Sequence, residues 1–399
     1  MANVKLPRDV RFIIDRLVER GYAADVVGGA VRDMLLGREI SDYDVTTSAR
    51  PEEIKAAFAD VRTIDTGIEH GTVTVHIDGN NYEVTTYRVD GEYKDGRHPE
   101  SVQFTRQLAD DLSRRDFTIN AMCYSPERGF TDLFGGRDDL EKRTVRTVGD
   151  ATERFREDAL RILRALRFAS VLDFDIEEST AAAVRAECGL LRLVSRERIY
   201  TEWYKLLRGA GAYRIIGEYP EVIRTFIPEL ERVSLPRRED FLSADAFTRM
   251  LSVYYCSSGS AADAFERSVV SLKTDKHTRE LGKKVLTLTA MPGRPTEEDI
   301  LLAISDHGVD ACRGAVALGV ATGKYERELA DAVDRAIATG KPYALAMLAV
   351  TGNDIRSLGI SGEGIGAALH RALAAVIRGE CKNDREEILA LVASDTPNA

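Results

Sequence analysis

Residues 24–47 read ADVVGGAVRDMLLGREISDYDVTT, and this stretch limits the possible folds more than any other. A short apolar run stops at Gly28-Gly29, an amphipathic stretch from Ala30 to Leu36 has helical spacing, Gly37 ends it, and Asp42-Tyr43-Asp44 opens a β-branched run. The implied order is strand, glycine turn, helix, strand. Side chains two apart on a strand share a face, so Asp42 and Asp44 are expected to present their carboxylates together, about 6 to 7 Å apart at the backbone. Such a pair suits a hard cation: Mg²⁺ takes one or two carboxylates plus phosphate oxygens, and two ions about 4 Å apart clamp both oxygens of an in-line phosphoryl displacement. Gly28-Gly29 complements them as a side-chain-free turn at a helix N-terminus, where backbone N–H groups can approach a triphosphate.

Around this stretch the period of the apolar residues changes in an orderly way. Val10, Ile13, Ile14 and Leu17 mark a lead-in helix over 7–20, and Pro51 starts another whose buried side is Ile54, Ala57 and Phe58. The period then becomes two over Val61 to Ile64, Thr72 to Ile77 and Tyr82 to Tyr87, with Asp78-Gly79-Asn80-Asn81 as the hairpin turn between the last two. An antiparallel pair beside the Asp42-Asp44 strand predicts a mixed sheet. Glu83 is then either a solvated strand residue or a third acid near the first two. Residues 89–100 (VDGEYKDGRHPE) are polar and Gly-rich without periodicity, the composition of a mobile loop. RQLADDLSRRDFTINAM follows, where Leu108, Leu112 and Phe117 predict a helix whose end delivers Arg114, Arg115 and Asp116; guanidinium forks there match phosphate oxygens. Glycine-rich FTDLFGGRDDLEKR closes this domain near Asp150.

Beyond Ala151 the pattern is helical almost to the end, which makes the fold class α+β. ERFREDALRILRALRF reads as one helix with Leu160, Ile162, Leu163, Leu166 and Ala169 buried and Asp158, Arg161, Arg164 and Arg167 at steps of three. Three residues turn through about 300°, so Asp158, Arg161 and Arg164 can face one pocket while Arg167 lies about half a turn from Asp158. VSRERIYTEWYKLLRG places Ile199, Trp203, Leu206 and Leu207 inside and Arg196, Glu197, Arg198 and Glu202 in an ion-pair network. Lys273, Lys276, Arg279, Lys283 and Lys284 form a basic cluster that reads equally well as a solvated face or as a contact to an RNA backbone. The expected division is 1–150, 151–235 and 236–399.

At 399 residues the chain exceeds one ordinary core, and no apolar run approaches a membrane span. Five scattered cysteines give neither a zinc pattern nor a disulfide framework, and MANVKLPRDV lacks a secretory h-region, so a cytoplasmic protein is expected. A net charge of −10 excludes a protein that coats nucleic acid indiscriminately. RNA binding then requires a local basic patch, which the arginines between Arg154 and Arg167 supply.

The Gly-Gly turn, Arg32 and the paired acids together resemble the signature of the DNA polymerase β-like nucleotidyltransferases. GGAVRDMLLG, DYDVTT, HGTVTV, YEVTTYR, RRDFTINAM, EDALRILRALRF and VSRERI, in this order, resemble the class II tRNA nucleotidyltransferases, the bacterial CCA-adding enzymes, which share their sequence class with bacterial poly(A) polymerases. The resemblance covers about residues 24 to 207. It implies a polymerase β-like head followed by an all-α neck, body and tail, and template-independent addition of C, C and A to the tRNA 3′ end from CTP and ATP. On this resemblance Asp42 and Asp44 hold catalytic Mg²⁺, Glu83 is the third acid, Gly28, Gly29 and Arg32 meet the incoming nucleotide, and Arg115 its phosphates. Asp158 and Arg161 read the base, and Arg164 and Arg167 also lie at the nucleotide site, which for Arg167 conflicts with the helical spacing. Tyr43 and His98 depart from the common pattern without removing a catalytic group. No histidine is followed by Asp, so no HD-type phosphohydrolase activity is expected. An enzyme adding only CC or only A, or a poly(A) polymerase, remains an alternative, as does the oligomeric state, a homodimer included. A non-catalytic RNA-binding protein is disfavoured by the retention of all three acids.

Overall fold

The computed structural model describes residues 4–91, 101–289 and 295–394. The chain forms two compact units, Met1–Phe226 and Ile227–Ala399.

The first unit begins with α1 (Arg8–Glu19), which buries Val10, Ile13, Ile14 and Leu17 as the spacing predicts. β1 (Ala24–Val27), α2 (Gly29–Leu35), β2 (Asp44–Thr47) and α3 (Pro51–Ala57) follow, with Pro51 at the start of α3. Next come β3 (Arg62–Gly67), β4 (Thr72–Ile77) and β5 (Asn80–Thr86). The turn between the last two is tighter than expected: Asp78 and Gly79 alone make it, both at positive φ (48° and 86°), the geometry that matches the twist of paired strands.

β6 (Arg88–Asp90) and β7 (Val102–Phe104) pair antiparallel, so the stretch expected to be an aperiodic loop begins in a strand. Residues 92–100, which carry the rest of the mobile-loop expectation and His98, lie outside the described residues. α4 (Leu108–Ser113), β8 (Met122–Ser125), β9 (Gly129–Asp132) and α5 (Gly136–Glu141) complete the head.

Its sheet has seven strands in the order β3-β4-β5-β2-β1-β8-β9. β2 and β5 are parallel and the other neighbours antiparallel, the mixed sheet expected. β8 and β9 were not expected. All four residues of β8 are buried, and a strand covered on both faces lacks the alternation that betrays one in sequence.

A short parallel pair, β10 (Thr144–Val145) with β11 (Asp175–Ile176), accompanies the helices α6 (Ala151–Glu157), α7 (Leu160–Leu172), α8 (Glu178–Glu187), α9 (Arg196–Leu207), α10 (Ala212–Glu218) and α11 (Pro220–Phe226). The single helix expected over Arg154 to Ala169 is therefore two. Asp158 breaks it with extended backbone (φ −138°, ψ 103°), and its Oδ1 accepts the Leu160 N–H at 3.0 Å. A short acidic side chain that bonds nearby backbone in this way competes with the helical ladder. In the second unit ten helices lie between Arg238 and Ser394 among the described residues, around a core that includes Leu301, Val316, Leu373 and Ile388. No helix there or in the first unit is long and apolar enough to cross a membrane, among the described residues.

α7 and α9 pack closely enough that the Ser170 hydroxyl donates to the Leu206 carbonyl at 2.7 Å, and a Cβ at Gly209 would overlap the Ser170 backbone. Gly209→Ala is therefore expected to destabilise the first unit by about 1–3 kcal/mol, read as a fall in melting temperature or urea midpoint. An unchanged midpoint would mean that the two helices separate without penalty.

Candidate active site

The parallel pairing of β2 with β5 sets Val45 against Val84, so the preceding residues, Asp44 and Glu83, stand side by side on one face of the sheet. Both are exposed, as is Asp42. Asp42 does not lie on the strand as expected: β2 starts at Asp44, and Asp42 sits in the segment before it. Its charge still reaches the other two. Partial loss of water raises the pKa of Asp44, the Asp42 charge adds to the rise, and Arg115 opposes it. Desolvation also raises Glu83, followed by the charges of Asp44 and Asp42. Three acids thus share one electrostatic neighbourhood, although no group of three or more metal-ligand side chains is closed enough to hold an ion alone, among the described residues.

The glycine turn lies beside them, because Val27 at the end of β1 pairs with Asp44. Gly28 has φ 74°, a conformation that glycine adopts freely. Its N–H donates to the Met122 carbonyl at 3.2 Å and is not available to a ligand, contrary to the reading of both glycines as phosphate donors. What Gly28 contributes is the absence of a side chain: a Cβ there would sit 3.2 Å from Arg115 Nη1, and one on Gly29 would sit 3.6 Å from Arg32 Nη2. The two guanidiniums flank the bare turn.

Each is held from behind. Arg115 Nη2 donates to Asp111 Oδ2 at 3.2 Å, and Asp111 also accepts from Arg114 Nη2 at 2.7 Å and from the Thr46 hydroxyl at 3.1 Å. Asp111 is fully buried; burial opposes its charge, yet Arg115 and Arg114 hold its pKa below the usual range. Arg115 Nε is buried with no hydrogen-bond partner among the described residues. Arg32 donates to Asp33 at 2.8 and 3.0 Å and to Asn120 Oδ1 at 2.8 Å.

On the helical side the break at Asp158 rearranges the expected partners. Asp158 Oδ2 accepts from Arg198 at 2.9 Å, whereas Arg161 pairs with Glu157 and reaches the Arg114 carbonyl at 3.4 Å. Arg164 donates to Asp116 at 2.7 Å, and Asp116 also accepts from the Asn120 amide at 3.1 Å. Burial works against the Asp116 charge, but Arg164 and Asn120 hold its pKa at about 2. Arg167 forms an ion pair 2.6 Å across with Glu202. The half-turn argument that set Arg167 apart assumed an unbroken helix through Asp158. With the helix starting at Leu160, the charges of Arg164, Asp116 and Arg32 all act on Arg167, so it joins the cluster. Of the four residues expected in an ion-pair network on α9, Arg198 and Glu202 pair with Asp158 and Arg167. Asp111, Asn120, Arg198 and Glu202 were missed as parts of the site. Only the run of two acids before Arg114-Arg115 hinted at one of them.

Two expectations lie elsewhere. In the basic cluster of the second unit, Lys283 pairs with Glu266 at 2.7 Å and Lys276 with Glu280 at 3.7 Å, so part of its charge is offset. A cavity of about 350 Å³ in that unit, lined by Asp240, Thr248, Val320 and Arg327, contains none of the expected site residues.

Comparison with known proteins places this geometry. Residues 24–146 match the Poly A polymerase head domain, and residues 173–231 match the probable RNA and SrmB-binding site of polymerase A. A CCA-adding enzyme of Geobacillus thermodenitrificans is 50% identical over 219 residues, spanning 55% of this chain and 54% of that one, so this likeness runs over about half the relative's length. A CCA-adding enzyme of Levilactobacillus brevis is 37% identical over 390 residues, 96% of both chains. The crystal structure of the Bacillus stearothermophilus CCA-adding enzyme in complex with CTP superposes with a TM-score of 0.78 at 32% identity, covering 98% of each chain. With a relative of this identity matched along nearly its whole length, the chain belongs to the family of CCA-adding enzymes.

Proposed function

We propose that this protein adds C, C and A to the 3′ end of tRNA from CTP and ATP without a nucleic-acid template. The observation that carries the reading is the convergence of Asp44, Glu83 and the Asp42 charge beside a side-chain-free turn flanked by Arg32 and Arg115. A full-length relative named a CCA-adding enzyme supports it. The reaction belongs in the cytoplasm, with its tRNA and nucleotide substrates.

In the reaction the tRNA 3′-oxygen attacks the α-phosphorus of the nucleotide, loses its proton, and diphosphate leaves. Arg115, whose Nη1 lies beside the bare turn, suits the triphosphate together with Arg32, because phosphate oxygens accept planar guanidinium forks. Asp42 and Asp44 would hold Mg²⁺: hard oxygen donors, solvent access and mutual repulsion that a cation relieves all fit that ion. Bound there, it would lower the pKa of the attacking hydroxyl and offset charge on the leaving group. Base choice falls to Asp158 and Arg161. Cytosine and adenine each present an amino donor beside a ring-nitrogen acceptor, and uracil and guanine present the reverse, so a carboxylate with a guanidinium admits the first two. Arg198 and Glu157 hold these two side chains in place.

Incubating the purified protein with tRNA transcripts lacking CCA, ending in CC, or complete, with each NTP singly and together, tests the reading directly. Addition of C, C and A in order is expected; addition of only part, or of an A tail, would replace it. Asp42→Ala or Asp44→Ala is expected to abolish addition of both C and A while tRNA binding persists, and activity within about tenfold of wild type would remove the acids from the chemistry.

The acid cluster also has a stability signature. Because Asp44 and Glu83 have raised pKa values in the fold, their ionisation destabilises it as the pH rises past their ordinary values of 3.8 and 4.5. At neutral pH without divalent cations, Asp44→Asn is expected to melt at or above the wild-type temperature. Adding Mg²⁺ should then raise the melting temperature of wild type more than that of Asp44→Asn; equal shifts would place the ion elsewhere. The double change Asp158→Ala with Arg161→Ala is expected to relax rejection of UTP and GTP by about 1–3 kcal/mol per lost contact, measured as competing kcat/KM values. Unaltered rejection of UTP would show that the base is read by other residues.

A further inference from the structure

We propose that Phe168 is a positioning residue for nucleotide binding: its ring is the common platform that holds the guanidiniums of Arg32, Arg164 and Arg167 in one cluster. This rests on the reading of those arginines as nucleotide contacts, and adds a residue that carries no charge and makes no polar contact of its own.

The three guanidinium carbons lie 5.1, 5.3 and 3.9 Å from the Phe168 ring centroid, all within the range where a cation is drawn to the negative face of an aromatic ring. Arg32 comes from α2 in the head, the other two from α7, so one side chain joins arginines that the sequence separates by more than a hundred residues. Each arginine has its own polar partner: Asp33 and Asn120 for Arg32, Asp116 for Arg164, Glu202 for Arg167. Asn120 also donates to Asp116 and so links Arg32 to Arg164 through polar groups, but Glu202 is not part of that chain, and the ring is the contact common to all three arginines.

Like charges so close repel. Burial lowers the pKa of Arg167, Glu202 opposes the change, and the charges of Arg164 and Arg32 add to it. A shared ring draws the three guanidiniums together without adding a further negative charge to arginines already paired with Asp33, Asp116 and Glu202.

The ring itself is fixed. Phe168 is 6% exposed, and the fully buried Phe117 meets it edge-on at 5.6 Å and 77°. Phe117 follows Asp116, the acceptor for Arg164, so the platform and the counter-charge are anchored at adjacent positions of the chain. With so little surface, Phe168 acts through the arginines and does not meet the nucleotide.

The test uses the full-length protein and reads equilibrium binding of CTP and of ATP without RNA, alongside KM and kcat for addition to tRNA. Phe168→Leu keeps an apolar side chain but removes the ring face; pentafluorophenylalanine placed at position 168 keeps the shape and inverts the quadrupole. Both are expected to weaken binding of CTP and ATP about tenfold, with KM following and kcat within about threefold, while Phe168→Tyr stays near wild type. The fluorinated protein decides the matter if the leucine variant melts below the assay temperature. Wild-type affinity in the fluorinated protein would overturn the inference alone, reducing Phe168 to a packing residue. Failure of the wild type to bind either nucleotide would overturn the nucleotide reading and this inference with it.

Discussion

The parallel pairing of β2 with β5 is the contact on which the rest of the first unit depends. It joins strands that are far apart in sequence order, inserting the β4–β5 hairpin next to the strand that begins at Asp44, and among the described residues it is the one parallel contact in a sheet of otherwise antiparallel neighbours. Through it Asp44 and Glu83 become neighbours despite lying 39 positions apart in the chain. Desolvation raises the pKa of both acids, and the Asp44 charge adds to the rise of Glu83, so this register carries a penalty for their ionisation. The hydrophobic positions pin the register nonetheless: Val45 and Val84 are fully buried on the opposite face, and a slip of one residue would expose them. Burial on one side of the sheet thus maintains an unfavourable cluster on the other, which is where a cation can be most useful.

Behind the acids the positive charges are organised by buried carboxylates. Asp111 is fully buried and receives two arginines as well as the Thr46 hydroxyl two residues beyond Asp44, so a sheet strand, a helix and the guanidinium beside the glycine turn form one hydrogen-bonded unit. Asp116 and Glu202 do the same for Arg164 and Arg167. Buried ion pairs of this kind contribute little net stability, since desolvation offsets much of the attraction, but removing one partner leaves an uncompensated charge. Their effect is geometric: each long side chain is confined to one direction. Phe168 adds a contact common to Arg32, Arg164 and Arg167, each of which has its own carboxylate.

The helical half of the first unit is tied to the head through the same residues. Arg161 reaches the Arg114 carbonyl, and Arg164 reaches Asp116, so the two residues on either side of Arg115 are each bonded to α7. A shift of Arg161 or Arg164 therefore has a direct mechanical route to the guanidinium beside the glycine turn. Asp158 lies between helices, not within one, and its carboxylate is held by backbone on one oxygen and by Arg198 on the other.

By itself the sequence determined the head as a mixed sheet with helices, the helical character of the remainder, the buried face of α1 and of α7, and the chemical types gathered at the site. Those follow from local facts: apolar period, glycine at a positive φ, and proline at a helix start. It did not determine that Asp42 precedes its strand, that Gly28 spends its N–H on Met122, or that β8 exists, because each depends on a neighbour from elsewhere in the chain. The clearest case is the stretch from Arg154 to Ala169. Its apolar residues fit one helical wheel, and all five predicted core positions are buried, yet one aspartate caps the backbone and starts a new helix at Leu160. The wheel correctly gave the buried side, since burial is set within α7, but it misplaced Arg167 relative to Asp158. Which arginine meets which acid was decided only by tertiary packing, because α2, α7, α9 and the Arg114–Asp116 turn supply the partners from four separate parts of the sequence.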